Sequence, residues 1–180
     1  MYINFQTTSL MMDTRETNKI FTMETSCKIS SKPLLKCFCG CGDLTEDEVK
    51  RIYRLSTQET LINPQASRLL RKHMELNRRG DKSVAEQMLD VYEKSEEYMR
   101  DFRLLTEDEL EELAELGLTY SMEKELLANI QTGEKSNIER CIRRIQGECR
   151  NEIEASPEYT LYKEAILKKL KSIDVSRRKY

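Results

Sequence analysis

The chain has 180 residues, 34% of them charged, yet its 30 basic and 32 acidic side chains leave a net charge of only −2. A field so balanced gives no overall pull towards nucleic acid or an anionic membrane, so any such affinity has to be local. No apolar run approaches the roughly 18 residues of a membrane span, and the start, MYINFQTTSLMM, has neither a basic region nor a continuous apolar stretch, so a secretory leader is not expected. Asp13, Glu16 and Glu24 count against an organelle-targeting peptide, and six cysteines, four of them crowded between Cys27 and Cys41, suit reduced thiols in the cytosol or nucleus better than a disulfide framework.

In chain order, residues 1–43 are expected to form a disordered tail: Ser and Thr are frequent, Cys27, Cys37, Cys39 and Cys41 fall there, and no apolar period persists. Residues 44–175 are expected to form an all-α bundle, and residues 176–180 a basic end. LTEDE occurs at Leu44–Glu48 and again at Leu105–Glu109, each time with a Thr three residues before a Glu, which is the reciprocal capping box. Cap chemistry explains the recurrence without a duplicated domain. Asn63 before Pro64, Ser83 with Glu86, Ser136 with Glu139, and Ser156 before Pro157 mark further helix starts. Gly80, Gly117 and Gly133 mark stops.

Between these signals the apolar residues recur at helical spacing. Ala66, Leu69, Leu70 and Met74 share one face, and Val84, Met88, Val91, Tyr92, Met99 and Phe102 a second. Ile138, Cys141, Ile142, Ile145 and Cys149 make a third, followed by Tyr159, Tyr162, Ile166, Leu170 and Ile173. No run alternates as a strand does, except the short TLIN at Thr60–Asn63, which is too brief to form a sheet unaided.

No catalytic residue, cofactor site or metal site is expected. His73, the single histidine, falls on the apolar face begun by Ala66, where a structural or interface imidazole is the expectation rather than a base. A phosphate-cradling glycine loop, a Gly-x-Ser-x-Gly elbow and His-Glu-x-x-His are all missing from the sequence. CFCGCG places Cys37, Cys39 and Cys41 at every second residue, with Cys27 as a candidate fourth thiolate, but structural zinc wants more chain between paired ligands. Free thiols are the expectation, and zinc the alternative. Arg140, Arg143 and Arg144 on one helix edge, and the closing KKLKSIDVSRRKY, are basic but lack the interleaved aromatics of a base-stacking surface, so any RNA contact is expected to be weak.

ETLINPQASRLL, then VAEQMLDVYEKSEEYMRDF, then LLTEDELEELAELGLTYSMEKELLANI resembles the core domain of a family of RNA polymerase subunits. This is the family of the fourth subunit of eukaryotic RNA polymerase II, its polymerase III counterpart and the archaeal F subunit. Leu61, Ile62, Asn63, Leu69 and Leu70 match its opening helix; Leu89, Tyr92 and Phe102 match the second; Leu110, Leu113, Leu116, Glu123 and Leu127 match the third and fourth. The likeness covers roughly Glu59 to Gln146, in a layout closer to the shorter archaeal form. It implies an HRDC-like helical bundle and a nuclear, non-catalytic subunit. Such a subunit pairs with an OB-fold-bearing, seventh-subunit-like partner to form a polymerase stalk that assists initiation and handles transcript. The alternatives are a free-standing helical adaptor and a small nucleic-acid-binding module.

Within that reading Leu61, Ile62, Ala66, Leu69, Leu70 and Met74 are the expected partner-binding residues. The short Leu61–Ile62 extension would complete a ladder on the partner's strand edge, while Pro64 starts the helix at once. The competing reading makes the same face the bundle's own core.

Overall fold

A computed structural model describes residues 34–36, 43–101, 103 and 105–177, all within one compact unit spanning Lys32–Tyr180. Two short strands, β1 (Leu34–Lys36) and β2 (Asp43–Thr45), pair antiparallel with Leu35 opposite Leu44. Eight helices follow: α1 (Glu46–Arg54), α2 (Thr57–Ile62), α3 (Pro64–Asn77), α4 (Val84–Arg100), α5 (Glu107–Glu115), α6 (Tyr120–Thr132), α7 (Lys135–Ala155) and α8 (Pro157–Arg177). The fold is the expected all-α bundle. The hairpin is an addition, and its first strand reaches back into the stretch read as tail; the rest of that tail, with Cys27, Cys37, Cys39 and Cys41, lies outside the described residues.

Helix starts follow local hydrogen-bonding chemistry. At Thr45 the hydroxyl accepts from the Glu48 N–H at 3.3 Å while the Glu48 carboxylate accepts from the Thr45 N–H at 2.7 Å, so two donors that the helix cannot satisfy are satisfied mutually. Asn63 Oδ1 accepts from the N–H groups of Gln65 and Ala66 at 3.1 and 3.0 Å, ahead of Pro64, which has no N–H to satisfy. Ser156 Oγ accepts from the Tyr159 N–H at 3.1 Å. The expected box at Ser136 is not formed: α7 begins at Lys135 with Glu134 as its cap, Ser136 donates to Glu134, and the Glu139 carboxylate is held by Arg143 at 2.6 Å.

Glycines end two helices where the chain must turn left-handed. Gly133 closes α6 with φ of 68°, and Gly117, just past α5, has φ of 112°. At Gly117 a Cβ would lie 3.1 Å from Gln87 Cβ, so the α5–α6 turn also approaches α4 tightly enough that a side chain there would need α4 to give way slightly.

The core is built around the pair α4 and α7, whose mutual packing is the most extensive in the fold. Leu89, Val91, Ile142, Ile145, Cys149 and Ile153 are all but completely buried there. Helix α6 packs on α7, α5 on α6, and α8 lies across α1, α3 and α7 through Tyr159, Tyr162 and Ile166. Burying each such side chain contributes roughly 1.5–3 kcal/mol before ordering costs. Val84 departs from expectation: placed by spacing on the α4 core face, it is 63% exposed, while its neighbours Ala85 and Glu86 in the same turn are buried.

Polar side chains cross-link this core. Lys163 Nζ, from α8, donates to the carbonyls of Tyr53 and Leu55 at 2.6 and 2.8 Å, serving two otherwise unpaired acceptors at the end of α1. Its ammonium also sits 5.3 Å from the centre of the Tyr53 ring. Arg71 binds Asp90 and Glu93, both at 2.7 Å, and ties α3 to α4. The Tyr98 hydroxyl donates to Glu109, linking the end of α4 to the start of α5.

Candidate functional site

The stretch that opens the sequence resemblance forms a helical elbow. Ser56 Oγ accepts from the Glu59 N–H at 3.2 Å, and the Glu59 carboxylate accepts from the Ser56 N–H at 2.8 Å, so a second full capping box starts α2. That backbone hydrogen bond holds the Glu59 carboxyl below its usual range. The Asn63 N–H donates to the Glu59 carbonyl at 2.9 Å, and the Asn63 side chain then caps α3. One asparagine closes one helix and opens the next, and this fixes the angle between them.

The geometry corrects the strand expected at TLIN. Thr57–Ile62 is helical, with the Thr60 and Asn63 N–H groups donating to the Ser56 and Glu59 carbonyls at 2.9 Å, so it has no extended edge to offer a partner's sheet. The six residues expected at the partner contact separate sharply. Leu61, Ala66, Leu69, Leu70 and Met74 are between 0% and 6% exposed and belong to the chain's own core, whereas Ile62 is 61% exposed. Leu61 and Ile62 are sequence neighbours on a helix, so they point about 100° apart: one faces inward, the other outward.

Ile62 stands beside a groove of about 500 Å³ between the elbow and α4. Leu61, Tyr92 and Ser67, all buried, form its base; Ile62, Pro64 and Arg68 line the elbow side, and Glu93, Glu96, Glu97 and Arg100 the α4 side. Burial pushes the Tyr92 phenol above its usual range, so that it remains a neutral ring. Glu93 is held by Arg71, Glu96 accepts from Gln146 Nε2 at 2.8 Å, and Glu97 lies 3.7 Å from Lys94. Arg68 and Arg100 have no hydrogen-bond or ion-pair partner among the described residues. An exposed aliphatic side chain beside a groove with open guanidinium groups suits it to bind a protein segment.

Other residues singled out by sequence fall elsewhere. His73 is buried in α3, 5.8 Å edge-on from the Tyr162 ring, and burial lowers its pKa. It also borders a smaller cleft of about 280 Å³ with Met74, Arg78 and Leu161. Arg143 and Arg144 are engaged by Glu139, Glu125 and Glu148, and Arg140 donates to Asn137. Cys141 and Cys149 are buried, and burial pushes the Cys149 thiol up to about 12. Among the described residues no His, Cys, Asp and Glu group is arranged to hold a metal, and no helix is long and apolar enough to cross a membrane.

The box at Ser56 and Glu59 was legible as Ser-x-x-Glu; the apolar Leu61–Ile62 pair drew the reading towards a strand instead. Nothing in the local sequence marks Arg68 or Arg100 as sharing a groove, since their meeting depends on how α3 and α4 cross. Comparison with protein-family models, with curated proteins and with solved structures finds no match.

Proposed function

We propose that the chain is a non-catalytic, nuclear stalk-type subunit of a DNA-directed RNA polymerase. In this reading it pairs with an OB-fold-bearing, seventh-subunit-like protein to support initiation and the handling of transcript. The ordered resemblance from Glu59 to Gln146 supports this reading. The observation that carries a docking role is Ile62, 61% exposed beside a groove formed by the residues where the resemblance begins. The docking mode is helix and groove, with Ile62 in place of the wider face from Leu61 to Met74.

Affinity purification of the tagged full chain from its own cells tests the proposal. Polymerase subunits and an OB-fold protein are expected in stoichiometric yield, and Ile62→Asp should deplete them while the variant keeps its helical signal. Recovery of an unrelated set of proteins, with no polymerase, would replace the stalk reading with that of a free-standing adaptor.

A further inference from the structure

We propose that the groove between the α2–α3 elbow and α4 takes an acidic segment of a partner protein, with an aliphatic or aromatic anchor flanked by carboxylates. This deepens the docking role proposed above and rests on it for the groove, not for the identity of the partner. The anchor follows from the apolar surface: Leu61 and Tyr92 are buried at the base, and exposed Ile62 stands beside Pro64 on one wall. A partner side chain laid there covers Ile62 and removes its apolar surface from water.

The sign of the flanking charge follows from which groups are already used. Two of the three carboxylates lining the groove accept hydrogen bonds within the chain, Glu93 from Arg71 and Glu96 from Gln146, while Glu97 lies 3.7 Å from a Lys94 ammonium that sits nearer Glu109 and Glu112. Arg71 is in turn held by Asp90 and Glu93. The groups still open among the described residues are two guanidiniums, Arg68 on α3 and Arg100 in the last turn of α4. A ligand lysine would compete with Arg71 and Gln146 for Glu93 and Glu96, whereas a ligand carboxylate would meet two planar five-donor forks with no partner among the described residues. A nucleic acid also carries negative charge, but the single aromatic ring lining the groove, Tyr92, is buried at its base and offers no stacking platform.

Fluorescence polarisation on the full chain tests this with three labelled peptides. One carries Leu and Phe among Asp and Glu, a second has its acids replaced by Lys, and a third has its Leu and Phe replaced by Ser. The first should bind with saturation; the second and third should not. Arg68→Glu with Arg100→Glu should weaken the first at least about tenfold and bring the Lys peptide into the binding range, since two exposed charge contacts are reversed. Ile62→Asp should weaken the first peptide alike, and Arg143→Glu should leave it unchanged. The circular dichroism of each variant confirms that it is folded. The proposal is overturned if the acidic and Lys peptides bind equally, if the double variant binds the acidic peptide as the wild type does, or if no saturation appears by about 1 mM. Competition by an oligouridine probe in place of the peptide also overturns it. Peptide binding without polymerase subunits in the purification overturns the stalk reading alone, and the reverse result overturns the acidic-segment reading alone.

Discussion

The division between Leu61 and Ile62 can be tested by two single substitutions that ask which neighbour the fold needs. Leu61 is 6% exposed, so Leu61→Ala removes buried methyl groups and leaves a space that the elbow, pinned by Asn63, cannot readily close. The expected loss is about 3 kcal/mol, near the lower end of measured buried Leu→Ala changes because α2 is short and lies at one side of the core. For a unit of this size that is a fall in melting temperature of roughly 6–12 °C. Ile62 is 61% exposed, so Ile62→Asp removes little buried surface and should stay within about 0.5 kcal/mol, including the small penalty of an acidic group at a helix C-terminus. Urea unfolding followed by far-ultraviolet circular dichroism measures both. A loss above about 2 kcal/mol for Ile62→Asp, or a neutral Leu61→Ala, would refute the assignment of one residue to the core and its neighbour to the surface.

Three further outcomes are expected. Asn63→Ala removes the acceptor for the N–H groups of Gln65 and Ala66 and should lower the urea midpoint by an amount equivalent to about 1 kcal/mol; an unchanged midpoint would mean that Pro64 alone sets the elbow. The His73 pKa is lowered by burial, so the unfolded chain takes up a proton that the folded chain resists: stability is fully present above the ordinary value of 6.5 and falls as pH drops below it. His73→Gln should flatten the stability profile between about pH 6.5 and 5, before the carboxylates titrate, and an identical slope in the variant would count against this origin. Cys149 is fully buried with its thiol pushed up to about 12, so mass-spectrometric mapping at pH 8 should find it alkylated only after urea is added.

The helices were legible because their signals are local. Ala66, Leu69, Leu70, Cys141, Ile142 and Ile145 declare their faces by spacing alone, and the caps at Thr45, Asn63 and Ser156 are written within four residues. Faces were less legible at helix ends, where Val84 has the right spacing but nothing packed over it. The strand reading of Thr60–Asn63 failed because two adjacent apolar residues fit a strand or a helix equally, and the arbiter, Ser56 with Glu59, lies upstream of the apolar pair. The groove was not legible. Arg68 and Arg100 are far apart in sequence, and both are ordinary exposed charges until α3 and α4 are placed side by side.

The repeated LTEDE shows how far local chemistry reaches, and where tertiary structure takes over. In both copies Thr caps the helix by accepting from the N–H of the Glu three residues on, and in both the Leu before the cap and the apolar residue five positions beyond the cap's Leu, Val49 or Leu110, are buried. That is a box combined with the arrangement of a hydrophobic staple, sufficient to start a helix wherever it occurs. The final Glu is used differently. Glu48 returns to the Thr45 N–H and closes its box, whereas Glu109 accepts from the Tyr98 hydroxyl and lies 3.4 Å from Lys94, which lowers its pKa and ties α5 to α4. The elements before the two copies differ as well: a hairpin strand precedes α1, and the end of α4 precedes α5. A duplicated domain would repeat its packing partners as well as its caps. Here only the cap and staple repeat, so the recurrence is one good helix start used twice, with its last carboxylate free to close the box or to reach a neighbouring helix.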